Sequence, residues 1–135
     1  MIPVLRARSS VVFDRIKPAG FRLLSALDQA TITLGCDLEI TSGTDSHSTG
    51  RHPEGEAYDV SVLGFSPETI VKLKGTLEQL LGPAFTVLYE SRVPPPHPLL
   101  VLMTTINPQA TGAHIHVQPK KGTTWPPTED GGVRV

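Results

Sequence analysis

Residues Ile40–Val62 read ITSGTDSHSTGRHPEGEAYDVSV, a polar loop between two segments that alternate in the manner of β-strands. Within this stretch, His52 and Asp59 lie on either side of a Pro-Glu-Gly turn. Far downstream, His114 and His116 are separated by one residue in the apolar run AHIHVQ. Histidines two positions apart on a strand project to the same face, so both can reach one site. Three nitrogen or oxygen donors from a turn–strand unit and a distant strand suit a catalytic zinc ion, which keeps its fourth position open.

The bulk properties indicate one globular domain and exclude several classes of function. The chain has 135 residues, 39% of them apolar and 19% charged, and a net charge of -1 with both signs mixed. This balance offers no basic surface for nucleic acid or an anionic membrane. The single cysteine, Cys36, excludes an internal disulfide framework and a thiolate-rich zinc site. No apolar run approaches the roughly 20 residues that span a bilayer, and the N-terminus lacks the apolar core of a signal peptide.

Apolar residues at helical spacing predict two amphipathic helices. The first covers Pro18–Leu34, with proline in its first turn and Gly35 at its C-terminal cap. The second begins at Ser66, where a hydroxyl, a proline and an acid follow one another, and ends at Gly82-Pro83. Strands are predicted over the following segments: Asp37–Thr41, Ala57–Val62, Phe85–Glu90, Leu99–Thr105 and Ala113–Gln118.

Alternation along the Ala57–Val62 strand places the larger apolar side chains on one face and the polar or small side chains on the other. Tyr58, Val60 and Val62 share one face, and Asp59 points to the other with its smaller neighbours. The Val11–Phe13 run near the N-terminus is either another strand or a packed lead-in. The predicted strands and helices together indicate an α+β fold. We expect a small, mainly antiparallel sheet flanked by two helices, with the metal site on one exposed face.

The chain also resembles a known family. The octet His52–Asp59, HPEGEAYD, matches the HxxGxAxD motif of the M15-type zinc peptidases and the Hedgehog signalling-domain superfamily. The preceding SGTD at 42–45 and HS at 47–48 are similar to elements of phage-type members. Downstream, VLYES at 87–91 and AHIHV at 113–117 resemble the closing segment of that family. These motifs span most of the chain and imply a Hedgehog/DD-peptidase-like fold.

The resemblance implies a role for each matching residue. His52, Asp59 and His116 are the implied ligands of a Zn2+ ion, a set of two imidazoles and one carboxylate that also suits iron. Glu90 matches the general base that takes a proton from the attacking water. His114 matches a histidine that is not a ligand and stabilises the developing oxyanion.

The spacing between the acid and the histidines departs from the family pattern. In the family the acid lies a few residues before the HIH element, whereas residues 91–113 separate Glu90 from His114 here. The excess, about 92–111, is expected to be an insertion that loops out of a single domain formed by residues 1–118. It would act as a flap over the substrate, or it would place Glu90 away from the metal. Residues 119–135 are expected to form a Pro/Gly-rich C-terminal tail.

The substrate-binding residues depart from the family pattern as well. His47 occupies the place of an auxiliary histidine at the rim of the site. Carboxypeptidases of the family carry an arginine after SGY, where this chain has Thr44-Asp45. Arg51 or Arg92 could substitute as the group that holds the substrate carboxylate, and loss of that clamp favours an endopeptidase.

By resemblance, the expected function is a zinc-dependent peptidase that hydrolyses peptidoglycan stem peptides, as a D,D-carboxypeptidase or an L,D-/D,D-endopeptidase in cell-wall lysis. The expected partner is the peptidoglycan peptide, with no nucleic acid and no membrane span. We expect a monomer that is synthesised in the cytoplasm and delivered to the cell wall by phage lysis or as part of a virion. The alternatives are a catalytically silent zinc-binding interaction module and a structural virion component.

Overall fold

A computed structural model of the chain describes residues 2–11, 13, 16–43 and 57–120. These residues form three helices and one six-stranded sheet. Within the same ranges, no helix combines the length and apolar character needed to cross a membrane. In chain order the elements are β1 (Leu5–Ala7), α1 (Pro18–Leu34), β2 (Leu38–Ser42), β3 (Tyr58–Ser61), α2 (Pro67–Leu81), β4 (Phe85–Ser91), α3 (Pro98–Val101), β5 (Thr104–Ile106) and β6 (His114–Pro119).

The two long helices begin and end where their sequence signals predict. Helix α1 has Pro18 in its first turn and ends at Gly35, whose φ of 70° is left-handed and therefore favours glycine. At the start of α2, the Ser66 hydroxyl accepts a hydrogen bond from the backbone N–H of Thr69. Gly82 follows the last turn of α2. The prediction of these two helices is confirmed.

The sheet is mixed. Its strand order is β1-β2-β3-β6-β4-β5, with the pairs β1–β2 and β4–β5 parallel and the three central pairs antiparallel. The predicted α+β class is therefore confirmed, and antiparallel pairing prevails in the centre. The expectation of a small, mainly antiparallel sheet flanked by two helices is incomplete because both edge pairs are parallel and because α3 adds a helix of 4 residues.

The segment 92–111 contains a helix and a strand of its own. The predicted strand over Leu99–Thr105 is wrong in its first half, where α3 forms. Pro98 occupies the first helical turn, and the His97 ring accepts a hydrogen bond from the backbone N–H of Leu99. The chain then returns as β5 beside β4.

Of the N-terminal apolar run, Val11 and Phe13 are described and Val12 is not, and the positions of these two residues favour a packed lead-in over a strand. Val11 and Phe13 lie outside strands, and the N-terminal strand is the earlier segment Leu5–Ala7. Val11 packs against the buried core, and the ring centroid of Phe13 lies 5.9 Å from that of Tyr58.

The sheet separates an apolar core from a polar cleft. Helices α1 and α2 pack against each other and against the sheet, and the apolar faces of the central strands are buried in that core. On β3 the alternation is as predicted, since Tyr58 and Val60 belong to the core whereas Asp59 lines the cleft. On β6, likewise, Ile115 is fully buried in the core, and the histidines on either side of it line the cleft.

Candidate metal centre

Strand β6 brings the candidate site together because it pairs with β3 on one side and β4 on the other. In the β3–β6 ladder, Asp59 lies opposite His116. In the β4–β6 ladder, Glu90 lies opposite His114. Directly opposed residues on neighbouring strands are close enough for their side chains to interact. Two carboxylates and two imidazoles therefore meet on one face, although residues 91–113 separate Glu90 from His114 along the chain.

His116 bridges Asp59 and Gln118 through its two ring nitrogens. Its Nδ1 lies 2.8 Å from Oδ1 of Asp59. Its Nε2 lies 2.7 Å from the side-chain oxygen Oε1 of Gln118, which accepts a hydrogen bond. With the Nε2 proton engaged by Gln118, Nδ1 is the nitrogen that faces the carboxylate. An outer hydrogen bond of this kind fixes the orientation of imidazoles that bind metals.

His114 repeats this arrangement on the other side of β6. Its Nδ1 donates to the backbone carbonyl of Gly112 at 3.1 Å, because a carbonyl oxygen can only accept. Its Nε2 lies 2.8 Å from Oε1 of Glu90 and 3.5 Å from Oδ1 of Asp59. Each histidine thus donates a hydrogen bond from one ring nitrogen to a protein acceptor, and its other ring nitrogen faces the carboxylates.

The side chains of this group are shielded from solvent, with 9% of Asp59, 13% of Glu90, 14% of His114 and 11% of His116 exposed. Donor atoms of Asp59, Glu90 and His114 all lie within 4.8 Å of one another, so these three residues could hold a metal ion. Two carboxylates this close repel each other unless positive charge lies between them. The site therefore needs a counter-charge.

The pKa values show how the protein itself supplies that charge. Burial alone would raise the pKa of Glu90, but the hydrogen bond from His114 and the positive charges of His116 and His114 bring it below its usual value. Burial alone would lower the pKa of His114 and of His116. Their hydrogen bonds to Glu90 and Asp59 respectively outweigh burial and raise both pKa values. When both imidazoles are protonated, their total charge equals that of one divalent cation in their place.

The group lies in an open cleft of about 920 Å³. One wall of the cleft is formed by Thr41 and Ser42 of β2, and the opposite wall by residues 107 and 109–113. Arg8 also lines the cleft and places a cation there, 3.4 Å from Glu39.

The structure brings together four of the predicted site residues, namely Asp59, Glu90, His114 and His116. The predicted ligand His52 and the predicted substrate-binding residues His47 and Arg51 lie outside the described residues. Arg92, named as an alternative clamp, is exposed and is not part of the cleft lining.

Three contributors to the site were missed in the sequence. Gln118 could have been found, because it lies two positions after His116 on the same face of β6. The carbonyl of Gly112 and the side-chain amide of Asn107, which lies 3.4 Å from Glu90 Oε1, had no local signal. Both depend on how the segment 92–113 folds back.

Comparison of the chain with protein-family models, with curated proteins and with solved structures found no match.

Proposed function

We propose that the protein is a zinc-dependent peptidase of the M15 type that hydrolyses peptidoglycan stem peptides next to a D-amino acid. The observation that carries the proposal is the convergence of Asp59, Glu90, His114 and His116 in one cleft. The resemblance of the motifs around these residues to M15-type peptidases supports the same interpretation. The Hedgehog/DD-peptidase-like fold is part of the proposal.

The donor set fits zinc. Asp59 and His116 would be two of the ligands and His52 the third, as the resemblance implies. The bond from His116 Nε2 to Gln118 supports this assignment because it leaves Nδ1, the nitrogen beside Asp59, able to bind a cation. When bound, zinc polarises a carbonyl group and lowers the pKa of water toward about 7.

Glu90 and His114 would carry the proton transfers. Glu90 has a lowered pKa, so its carboxylate is ionised at neutral pH and can accept a proton from the attacking water. The same carboxyl group then passes the proton to the leaving amine. His114 has a raised pKa, and its Nε2–H, which donates to Glu90 Oε1 in the structure, would shift its hydrogen bond to the oxygen that becomes negatively charged.

A second candidate function is a zinc-binding module without turnover, and the cluster of Asp59, Glu90 and His114 favours it specifically. If Glu90 and His114 are themselves ligands, neither is available as a base or an oxyanion donor. The two candidates therefore assign Glu90 opposite roles. In the first candidate, Glu90 is dispensable for metal binding and required for hydrolysis; in the second, it is required for metal binding.

The test is zinc analysis and release of amino groups from purified peptidoglycan, on the same protein preparations. In the peptidase, Glu90→Gln keeps stoichiometric zinc and lowers turnover by about 100- to 10,000-fold, the usual contribution of a general base. His52→Ala and His116→Ala lose zinc. In the binding module, Glu90→Gln and His114→Ala lose zinc, whereas His52→Ala retains it.

His97→Ala is the matched control because this histidine caps α3 and is not among the residues lining the cleft. It should retain both zinc and turnover. A wild-type protein that binds one zinc ion and releases no amino groups from peptidoglycan would contradict the peptidase. Mass spectrometry of the released fragments identifies the bond that is cleaved, and so separates a carboxypeptidase from an endopeptidase.

Delivery to the cell wall in phage lysis, or as part of a virion, belongs to the same proposal. Addition of the protein to intact cells and to cells with a permeabilised outer layer checks it. Lysis that requires access from the inside would support release at the end of a phage cycle.

A further inference from the structure

The segment 92–113 places one amide side chain against Glu90. Strand β5 pairs with β4 in parallel, with Ser91 opposite Ile106. The next residue, Asn107, extends the ladder because its backbone N–H donates to the carbonyl of Ser91 at 2.9 Å. The position of Asn107 relative to β4 is therefore fixed by main-chain hydrogen bonds.

The two ends of the Asn107 amide are distinguished by their partners. Its Oδ1 accepts a hydrogen bond from the backbone N–H of Gln109 at 3.0 Å, in the turn that follows β5. Since an N–H requires an acceptor, the oxygen must face Gln109 and the nitrogen must face away. The nitrogen Nδ2 lies 3.4 Å from Oε1 of Glu90, where it can only donate.

Both hydrogen bonds to the Glu90 carboxylate end on the same oxygen. Oε1 accepts one hydrogen bond from Nε2 of His114 at 2.8 Å and another from Nδ2 of Asn107 at 3.4 Å. Among the described residues, no hydrogen bond ends on Oε2. The two donors therefore hold the carboxyl group in one rotation and leave Oε2 to take up a proton.

We propose that Asn107 is a positioning residue that orients the Glu90 carboxylate through the Nδ2–Oε1 hydrogen bond. The proposal rests on the proposed function for its catalytic consequence, and on the geometry for the contact itself. It also gives the segment 92–111 a role. Through Asn107, which follows β5, the segment orients the carboxylate of Glu90, the proposed general base. It is therefore more than a loop that leaves the domain.

Asn107→Asp tests the proposal with the smallest change of shape. Aspartate keeps an oxygen for the N–H of Gln109 and replaces the Nδ2 donor by a second acceptor. Asn107→Ala removes the donor without adding a charge. We expect both variants to lower kcat by about tenfold or more, as for loss of a hydrogen bond to a charged group, with KM and zinc content unchanged. Thr105→Ala, an exposed position on the same strand, should leave kcat unchanged.

A measurement on the zinc-free protein tests the contact without turnover. Asn107 is the only asparagine in the chain, so selective ¹⁵N labelling of asparagine gives one side-chain amide signal. This signal should shift in Glu90→Gln and stay unchanged in the control Glu78→Gln, which alters an exposed acid on α2.

The outcomes separate this inference from the proposed function. An amide signal that does not respond to Glu90→Gln overturns the inference, whatever the turnover. Wild-type kcat in Asn107→Asp overturns it as well, while Glu90→Gln still decides the peptidase. If the wild-type protein has no turnover, the proposed function falls and the catalytic half of this inference falls with it.

Discussion

Replacement of Tyr58 by phenylalanine tests how β3 separates the core from the cleft. The side chain of Tyr58 is 0% exposed, and its hydroxyl has no hydrogen-bond partner among the described residues. A buried hydroxyl without a partner costs about 1–3 kcal/mol, whereas a void the size of one oxygen atom costs only about 0.3 kcal/mol. We therefore expect Tyr58→Phe to raise the free energy of unfolding by about 1 kcal/mol. For a chain of 135 residues, this corresponds to a rise in Tm of about 3–4 °C.

The effect of Tyr58→Phe should grow in alkaline solution. Burial raises the pKa of Tyr58 to about 12, whereas an unfolded tyrosine titrates near pH 10. Between these values the unfolded chain has lost a proton that the folded chain still holds, so wild-type stability falls as the pH rises through this window. At pH 11 the loss amounts to about 1.4 kcal/mol. Phenylalanine does not titrate, so the advantage of the variant should reach about 2 kcal/mol there.

The assay is urea unfolding followed by circular dichroism at pH 8 and pH 11. Tyr89→Phe is the control, since Tyr89 is the other tyrosine of the chain and its hydroxyl is not a buried atom without a partner. It should not stabilise the protein at pH 8. Zinc content should be unchanged in Tyr58→Phe because Tyr58 faces the core. A loss of stability in Tyr58→Phe at pH 8, or an equal effect at both pH values, would refute the reasoning.

Three further predictions concern the site and the helices. Gln118→Ala removes the acceptor of His116 Nε2, so zinc affinity measured by competition with a chelator should fall by about 10- to 100-fold; an unchanged affinity would speak against His116 as a ligand. Zinc at 100 times its dissociation constant should stabilise the folded protein by about 2.7 kcal/mol, and a thermal scan that shows no shift would contradict binding to the native state. Ser66→Ala removes the cap of α2 and should cost about 1 kcal/mol in urea unfolding, whereas Ser25→Ala, on the exposed side of α1, should cost less than half as much.

Local patterns in the sequence predict those parts of the fold that local rules govern. The ends of α1 and α2 follow from Pro18, Gly35 and Ser66, since each residue acts on backbone groups in its own turn. The face of Asp59 follows from alternation along a single strand. The same rule places His114 and His116 together in the cleft.

The remaining features depend on which strands become neighbours, and no local pattern encodes that. The contact between Glu90 and His114 arises because β4 and β6 pair in antiparallel register. The spacing along the chain suggested that an insertion could move Glu90 away from the histidines. The segment 92–111 instead adds β5 at the edge of the sheet, and β4 and β6 remain paired. The contact between Asn107 and Glu90 follows from the same return of the chain.

The register of β6 links the stability of the fold to the geometry of the site. A slip of one residue along β6 would turn its histidines into the core and bring Ile115 and Val117 into the cleft. Both apolar side chains are buried, at 0% and 1% exposure. Their exposure would cost about 1.5–3 kcal/mol each, and burial of two imidazoles without partners would cost more. Burial of Ile115 and Val117 on the core face therefore fixes the register of β6. That register places His114 opposite Glu90 and His116 opposite Asp59, so a change that shifts the core packing of β6 would also disrupt the site.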